Sequence, residues 1–182
     1  MSMFLGWMPD AAAQAALADL QHRIRAALPA DAPRHDWRVP AQWHMTLRYL
    51  GDSLDDAQRT RIDAAMAQLT SPTPDADADG MLAGAQYWPH ARVLVAKIEA
   101  SDALKALLRQ LETTMQDCGF AKDRAQTAHI TLAYLPNRET PAQPALAWNP
   151  VPLHVDRVHL LQTVPGAYRT LASWPLGASQ GA

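Results

Sequence analysis

A seven-residue phrase occurs twice in this chain, first as His44-Met45-Thr46-Leu47-Arg48-Tyr49-Leu50 and again as His129-Ile130-Thr131-Leu132-Ala133-Tyr134-Leu135. Five of the seven aligned positions are identical, and a sixth exchanges Met for Ile. With 7 His among 182 residues, a single His followed two places later by Ser or Thr is no more than chance delivers. Two such sites, each continuing as Leu-x-Tyr-Leu, mark an internal duplication.

Both copies alternate with a period of two, as a half-buried strand does. His and Thr then share one face, about 7 Å apart along the strand. Met45, Leu47 and Tyr49, like Ile130, Leu132 and Tyr134, are expected on the opposite, core-facing side. Approximate two-fold symmetry brings the polar faces together across a cleft, placing two imidazoles and two hydroxyls around one small volume. Imidazole exchanges a proton near neutral pH, so one neutral and one protonated copy can serve as base and acid in displacement at phosphorus. His44 and His129 are the candidate pair. Thr46 and Thr131 would donate to the non-bridging oxygens, where transition-state charge gathers. By strict alternation Arg48 joins His44 and Thr46 and reaches the phosphate. Its counterpart is Ala133, so one cation would serve one end of an asymmetric substrate.

No metal or other cofactor is expected. Catalytic zinc usually takes three protein ligands, yet neither phrase has a second His or an acid, and no His-Glu-x-x-His occurs. His154 and His159 are five apart and would face opposite ways on a strand.

The formal net charge of −2 argues against a protein that coats long nucleic acid, which needs many phosphate contacts. Any nucleic-acid contact should involve only a few nucleotides. No apolar run approaches the roughly 20 residues of a membrane helix. The opening residues lack the basic head of a secretory signal and read as a strand. The single cysteine, Cys118, permits no intramolecular disulfide and suits a reducing cytoplasm. A cytoplasmic monomer is the expectation.

In chain order, Met3 to Met8 reads as a strand. Asp10 caps a helix bearing Ala13, Leu17, Leu20, Ile24 and Leu28. Ala30 to Pro40 is a loop or edge carrying Trp37 and Arg38. Ser53 with Asp56 resembles a capping box before Leu54, Ile62, Met66 and Leu69. Residues 71–80 are a Pro- and Asp-rich loop at the boundary of two pseudo-repeats, roughly 1–75 and 81–176. Two strands, 81–88 and 92–98, precede a helix starting at Ser101 and closed by Gly119. Lys122 and Arg124 lie in a short basic loop before the second phrase. After a Pro-rich loop over 137–150 come strands 151–164 and 168–176, and 177–182 is expected to be a frayed tail. The whole is one α+β domain, residues 1–176, of mostly antiparallel sheet with helices outside.

These residues resemble the 2H phosphoesterases, named for two His-x-Thr/Ser motifs, and among them the bacterial RNA 2′,3′-cyclic phosphodiesterases, also called 2′-5′ RNA ligases. The likeness rests on Trp37-Arg38-Val39-Pro40, the two phrases, Gly166-Ala167-Tyr168 and Trp174-Pro175-Leu176. It implies two pseudo-symmetric lobes around a central cleft, and metal-independent opening of a 2′,3′-cyclic phosphate to a 2′-phosphate. The substrates it implies are RNA 3′ ends or small cyclic nucleotides, with 2′-5′ ligation as the alternative on the same site; a non-catalytic RNA-end binder is a further one. By motif order the resemblance implies that His44 is the proton donor and His129 the acceptor. Two positions depart from the family pattern: Tyr134 stands where many relatives carry arginine, and Ala128 where proline is frequent.

Overall fold

The computed structural model describes residues 1–69, 80–124, 127–136, 141–142, 144 and 146–176. Strand β1 (Met3–Trp7) leads into helix α1 (Ala11–Ala27), capped by Asp10, whose carboxylate accepts from the Ala13 amide at 2.8 Å. The spacing of Ala13, Leu17, Leu20 and Ile24 buries all four on one face. A two-residue strand β2 (Asp36–Trp37) and a 3₁₀ turn over Pro40–Gln42 precede β3 (Met45–Gly51), the first phrase. Helix α2 (Asp56–Ala67) is capped by Asp55 reciprocally with Gln58, two residues later than the expected Ser53 box.

The hairpin β4 (Gly80–Trp88) and β5 (Val93–Ala100) runs into α3 (Asp102–Asp117), which buries Leu104, Leu107, Leu111 and Met115. Past α3, Gly119 adopts φ +93° and lets the amides of Gly119 and Phe120 return to the carbonyls of Gln116 and Met115. Strand β6 (His129–Tyr134) holds the second phrase. The expected single strand over 151–164 is instead two, β7 (Val151–Leu153) and β8 (Arg157–Val164), broken at His154–Asp156, and β9 (Ala167–Pro175) closes the described chain. Of the expected loop 71–80, Gly80 instead begins β4, and residues 71–79, like the expected tail 177–182, lie outside the described residues.

All strands join one curled antiparallel sheet in the order β7-β4-β5-β6-β3-β1-β8-β9, with β2 on β6. The order is nearly a palindrome about its middle. β3 pairs β1 and β1 pairs β8; likewise β6 pairs β5 and β5 pairs β4. Each lobe also has a helix (α1, α3) following its second strand. The break at 154–156 sends β7 to one lobe and β8 with β9 to the other, so the lobes interleave along the chain. The two phrases lie side by side at the centre yet share only the pair Met45↔Ile130. Beyond that pair the strands splay, and the splay opens a cleft.

Candidate active site

The antiparallel pair Met45↔Ile130 puts His44 beside Thr131 and Thr46 beside His129 in register. All four side chains line a cleft of about 590 Å³. Each phrase therefore completes the other's polar face, which is why the motif must occur twice.

The two histidines are held alike. His44 Nδ1 lies 3.3 Å from the Gln42 carbonyl, and His129 Nδ1 lies 2.7 Å from the Thr127 carbonyl, in both cases two residues upstream. A carbonyl only accepts, so each Nδ1 carries hydrogen and each Nε2 is left as the exchangeable nitrogen. Aromatic rings fix the imidazole planes. His44 packs against Phe4 at 4.9 Å and Tyr168 at 4.3 Å, and His129 packs against Trp88 at 4.6 Å. Gly6 helps to make this possible, because a β-carbon there would come within 3.1 Å of the Phe4 ring and of the Met45 carbonyl.

Burial holds the His44 imidazole down at about 4, with the charges of His129 and Arg38 pushing the same way against the Gln42 carbonyl. Burial also lowers His129, opposed by the Thr127 carbonyl. Both rings are thus biased towards neutrality in the free protein, and a bound anion must return a proton to one of them before it can act as an acid.

Both phrases break alternation at the same place. In β3 the pairing with β1 skips Leu47, and in β6 the pairing with β5 skips Leu132. A bulge at each leucine reverses the faces of the residues that follow. Tyr49 and Tyr134, expected in the core, therefore emerge into the cleft, 40% and 45% exposed.

The same bulge removes Arg48 from the site. Its guanidinium is buried on the α3 side, with Nε 2.6 Å from Glu112 Oε2 and Nη1 3.7 Å from Asp123 Oδ2. It also donates to the carbonyls of Tyr49 and Ala121. Arg48 does not line the cleft, and the expectation that it reaches the phosphate is corrected. The physical reason is the bulge, which strict alternation cannot anticipate. Lys122 and Arg124 also lie elsewhere, on a separate groove beside α3.

Among the described residues, the cation that does line the cleft is Arg38, to which sequence reasoning gave no role. Its backbone is pinned to β6: the Arg38 amide donates to the Leu132 carbonyl at 2.8 Å. From α1, Gln21 Nε2 donates to the carbonyls of both Arg38 and Leu132. The guanidinium lies 5.3 Å above the Tyr134 ring and donates to the Tyr168 hydroxyl at 3.5 Å. The available signal was an arginine in the strand-like run just before the turn into His44. None of the described residues lining the cleft is acidic. No tryptophan lines it either: Trp43 is buried, and Trp37 is stacked on His35 with ring centroids 5.0 Å apart. Cys118 is buried at the end of α3, as expected of a core thiol.

The arrangement can bind a tetrahedral anion through one guanidinium and two hydroxyls, and can move one proton on and one off. Among the described residues no three His, Cys, Asp or Glu stand together as metal ligands. No described helix is long and apolar enough to cross a membrane.

No curated protein matches the chain. Solved structures do. E. coli LigT complexed with 3′-AMP is similar at TM-score 0.72 and 19% identity, over 96% of this chain and 97% of that one. TT0787 of Thermus thermophilus is similar at TM-score 0.70 and 24% identity, over 98% and 100%. The PDE domain of MHV ns2 is similar at TM-score 0.58 and 11% identity, over 85% and 98%. These likenesses show the fold, the two-lobed α+β fold of the 2H phosphoesterases. The model of one family spans residues 44–167, from the histidine of the first phrase to the first residue of β9. The chain belongs to the 2′-5′ RNA ligase superfamily.

Proposed function

We propose that the cleft hydrolyses 2′,3′-cyclic phosphates, at RNA ends or on small nucleotides, to 2′-phosphates. A water molecule attacks phosphorus in line with the bond to O3′. One histidine takes the proton from water through Nε2, the P–O3′ bond breaks, and the other histidine delivers a proton to O3′. The product carries a 2′-phosphate and a free 3′-hydroxyl. Motif order gives His44 the donor's role and His129 the acceptor's. Thr46, Thr131 and Arg38 hold the non-bridging oxygens as charge builds on them. No step calls on a metal ion.

The observation that carries this reading is the reciprocal arrangement of the two phrases. Two imidazoles with matched Nδ1 anchors and two threonines line one cleft beside the Arg38 guanidinium, with no acid among the described lining residues. The structurally similar LigT has been crystallised with phosphate and with 3′-AMP, a phosphate anion and a small nucleotide. Ligation, in which a 5′-hydroxyl replaces water, would use the same groups, but the cleft is open and water is the more concentrated nucleophile.

The deciding experiment incubates the protein with an oligonucleotide ending in a 2′,3′-cyclic phosphate, with and without exhaustive EDTA. A 2′-phosphate product in both samples is expected. A 3′-phosphate product would place the leaving group on the wrong oxygen. Activity lost to EDTA and restored by zinc or manganese would mean that a metal site does the chemistry.

A further inference from the structure

A second groove of about 490 Å³ lies beside α3, floored by Leu47 and Leu108 and ringed by Lys105, Arg109, Lys122 and Arg124. It also contains two acids, Glu112 and Asp123, which would ordinarily cancel half of that charge. Here both acids lie against the buried Arg48 guanidinium, at 2.6 and 3.7 Å. The arginine that the bulge withdrew from the cleft thus occupies the groove's acids from below and leaves the exposed rim cationic. Lys105 is paired with Asp102 at its outer edge, whereas Arg109 and Lys122 have no acidic partner among the described residues.

The groove and the cleft share no lining residue, but Arg48 ties their borders together. Arg48 donates to the carbonyl of Tyr49, which lines the cleft, and to that of Ala121, which begins the loop carrying Lys122. The charge of Asp123 also bears on the Tyr49 hydroxyl. The loop that carries Lys122 therefore lies against the part of β3 whose Tyr49 lines the cleft, and further cations lie along α3.

We infer that this groove holds the backbone phosphates of a single-stranded RNA whose cyclic-phosphate end occupies the cleft. The inference rests on the proposed reaction for the identity of the occupant. It adds a track of about two phosphates reached through Arg109 and Lys122, consistent with a chain whose overall charge forbids a long one.

The test compares kcat/KM for a 2′,3′-cyclic mononucleotide and for a pentanucleotide with the same 3′ end, in the wild type and in an Arg109→Glu/Lys122→Glu variant. Two phosphate contacts at about 0.7 each give an additional log–log salt slope of roughly 1.4. The wild-type advantage of the pentanucleotide should therefore fall about sevenfold between 50 and 200 mM salt. The variant should lose that advantage while hydrolysing the mononucleotide at the wild-type rate. Equal wild-type rates on the two substrates would overturn the groove, as would a variant that loses both equally. If the wild type hydrolyses neither, the reaction has been misassigned, and titration of a labelled pentanucleotide decides the groove by itself. Affinity that is the same in wild type and variant overturns it.

Discussion

The guanidinium of Arg38 lies 5.3 Å over the ring of Tyr134 at the His44 end of the cleft. Tyr134 is anchored by its pairing with Asp36 across β2 and β6, and Arg38 follows two residues later on the same edge. The cation of the site is therefore delivered by a neighbouring strand, and the tyrosine is its rest. Arg38→Ala should lower kcat/KM by roughly 10- to 100-fold, the worth of a charge-assisted contact to phosphate. It should also raise the His44 pKa, because a neighbouring positive charge is gone. Steady-state kinetics with a proton NMR titration of His44 measures both. An unchanged rate would remove Arg38 from phosphate binding.

Replacing either histidine by alanine should cost roughly 10² to 10⁴ in rate, the usual worth of a positioned acid or base. The double mutant should be scarcely slower than the worse single mutant, because the pair acts as a unit. A nitrophenyl ester needs no proton on its leaving group, so the variant lacking the acid should recover on that substrate. Motif order says this is His44→Ala. Recovery of His129→Ala instead would exchange the two roles, and full activity in both single variants would end the mechanism.

The depressed pKa of His44 has a sign that can be checked. In the unfolded chain the ring binds a proton near pH 6.5, and in the folded protein only near about 4. Between those values the unfolded state holds more protons, so stability should fall as pH falls from 6.5 towards 4. The full shift corresponds to about 3 kcal/mol. Urea denaturation of wild type and His44→Gln across this range should show the variant losing less stability. Parallel curves would mean that the folded ring titrates normally. The same reasoning requires proton uptake when inorganic phosphate binds near neutral pH, readable by calorimetry in buffers of different ionisation enthalpy.

Removing one partner of the Arg48 cluster tests its position. Glu112→Ala strands a guanidinium that is only 4% exposed, at a cost of up to about 3 kcal/mol. Arg48→Met leaves Glu112 and Asp123, 23% and 20% exposed and able to reach water, and should cost less. Neither should change kcat/KM for a cyclic mononucleotide once the folded fraction is counted. A loss of tenfold or more in Arg48→Met would return Arg48 to the phosphate.

A repeated phrase is legible because identity at spaced positions needs no geometry. From it came the central strands and the gathering of His44, His129, Thr46 and Thr131 around one cleft, whereas the α+β class came from the order of strands and helices and the two lobes from the family resemblance. Helical periodicity likewise placed α1 and α3 and most of their buried residues. What the sequence could not declare was where the strand period slips. One extra residue at Leu47 and another at Leu132 turn Tyr49 and Tyr134 into the cleft and Arg48 out of it. A bulge is settled between neighbouring strands, and it leaves no mark in the alternation of a single one. For the same reason Arg38 was invisible: its place depends on β2 finding β6 and on Gln21 holding both carbonyls from another element. Local pattern decided which residues make strands and helices. Only the packing of one element against another decided which side chains line the cleft.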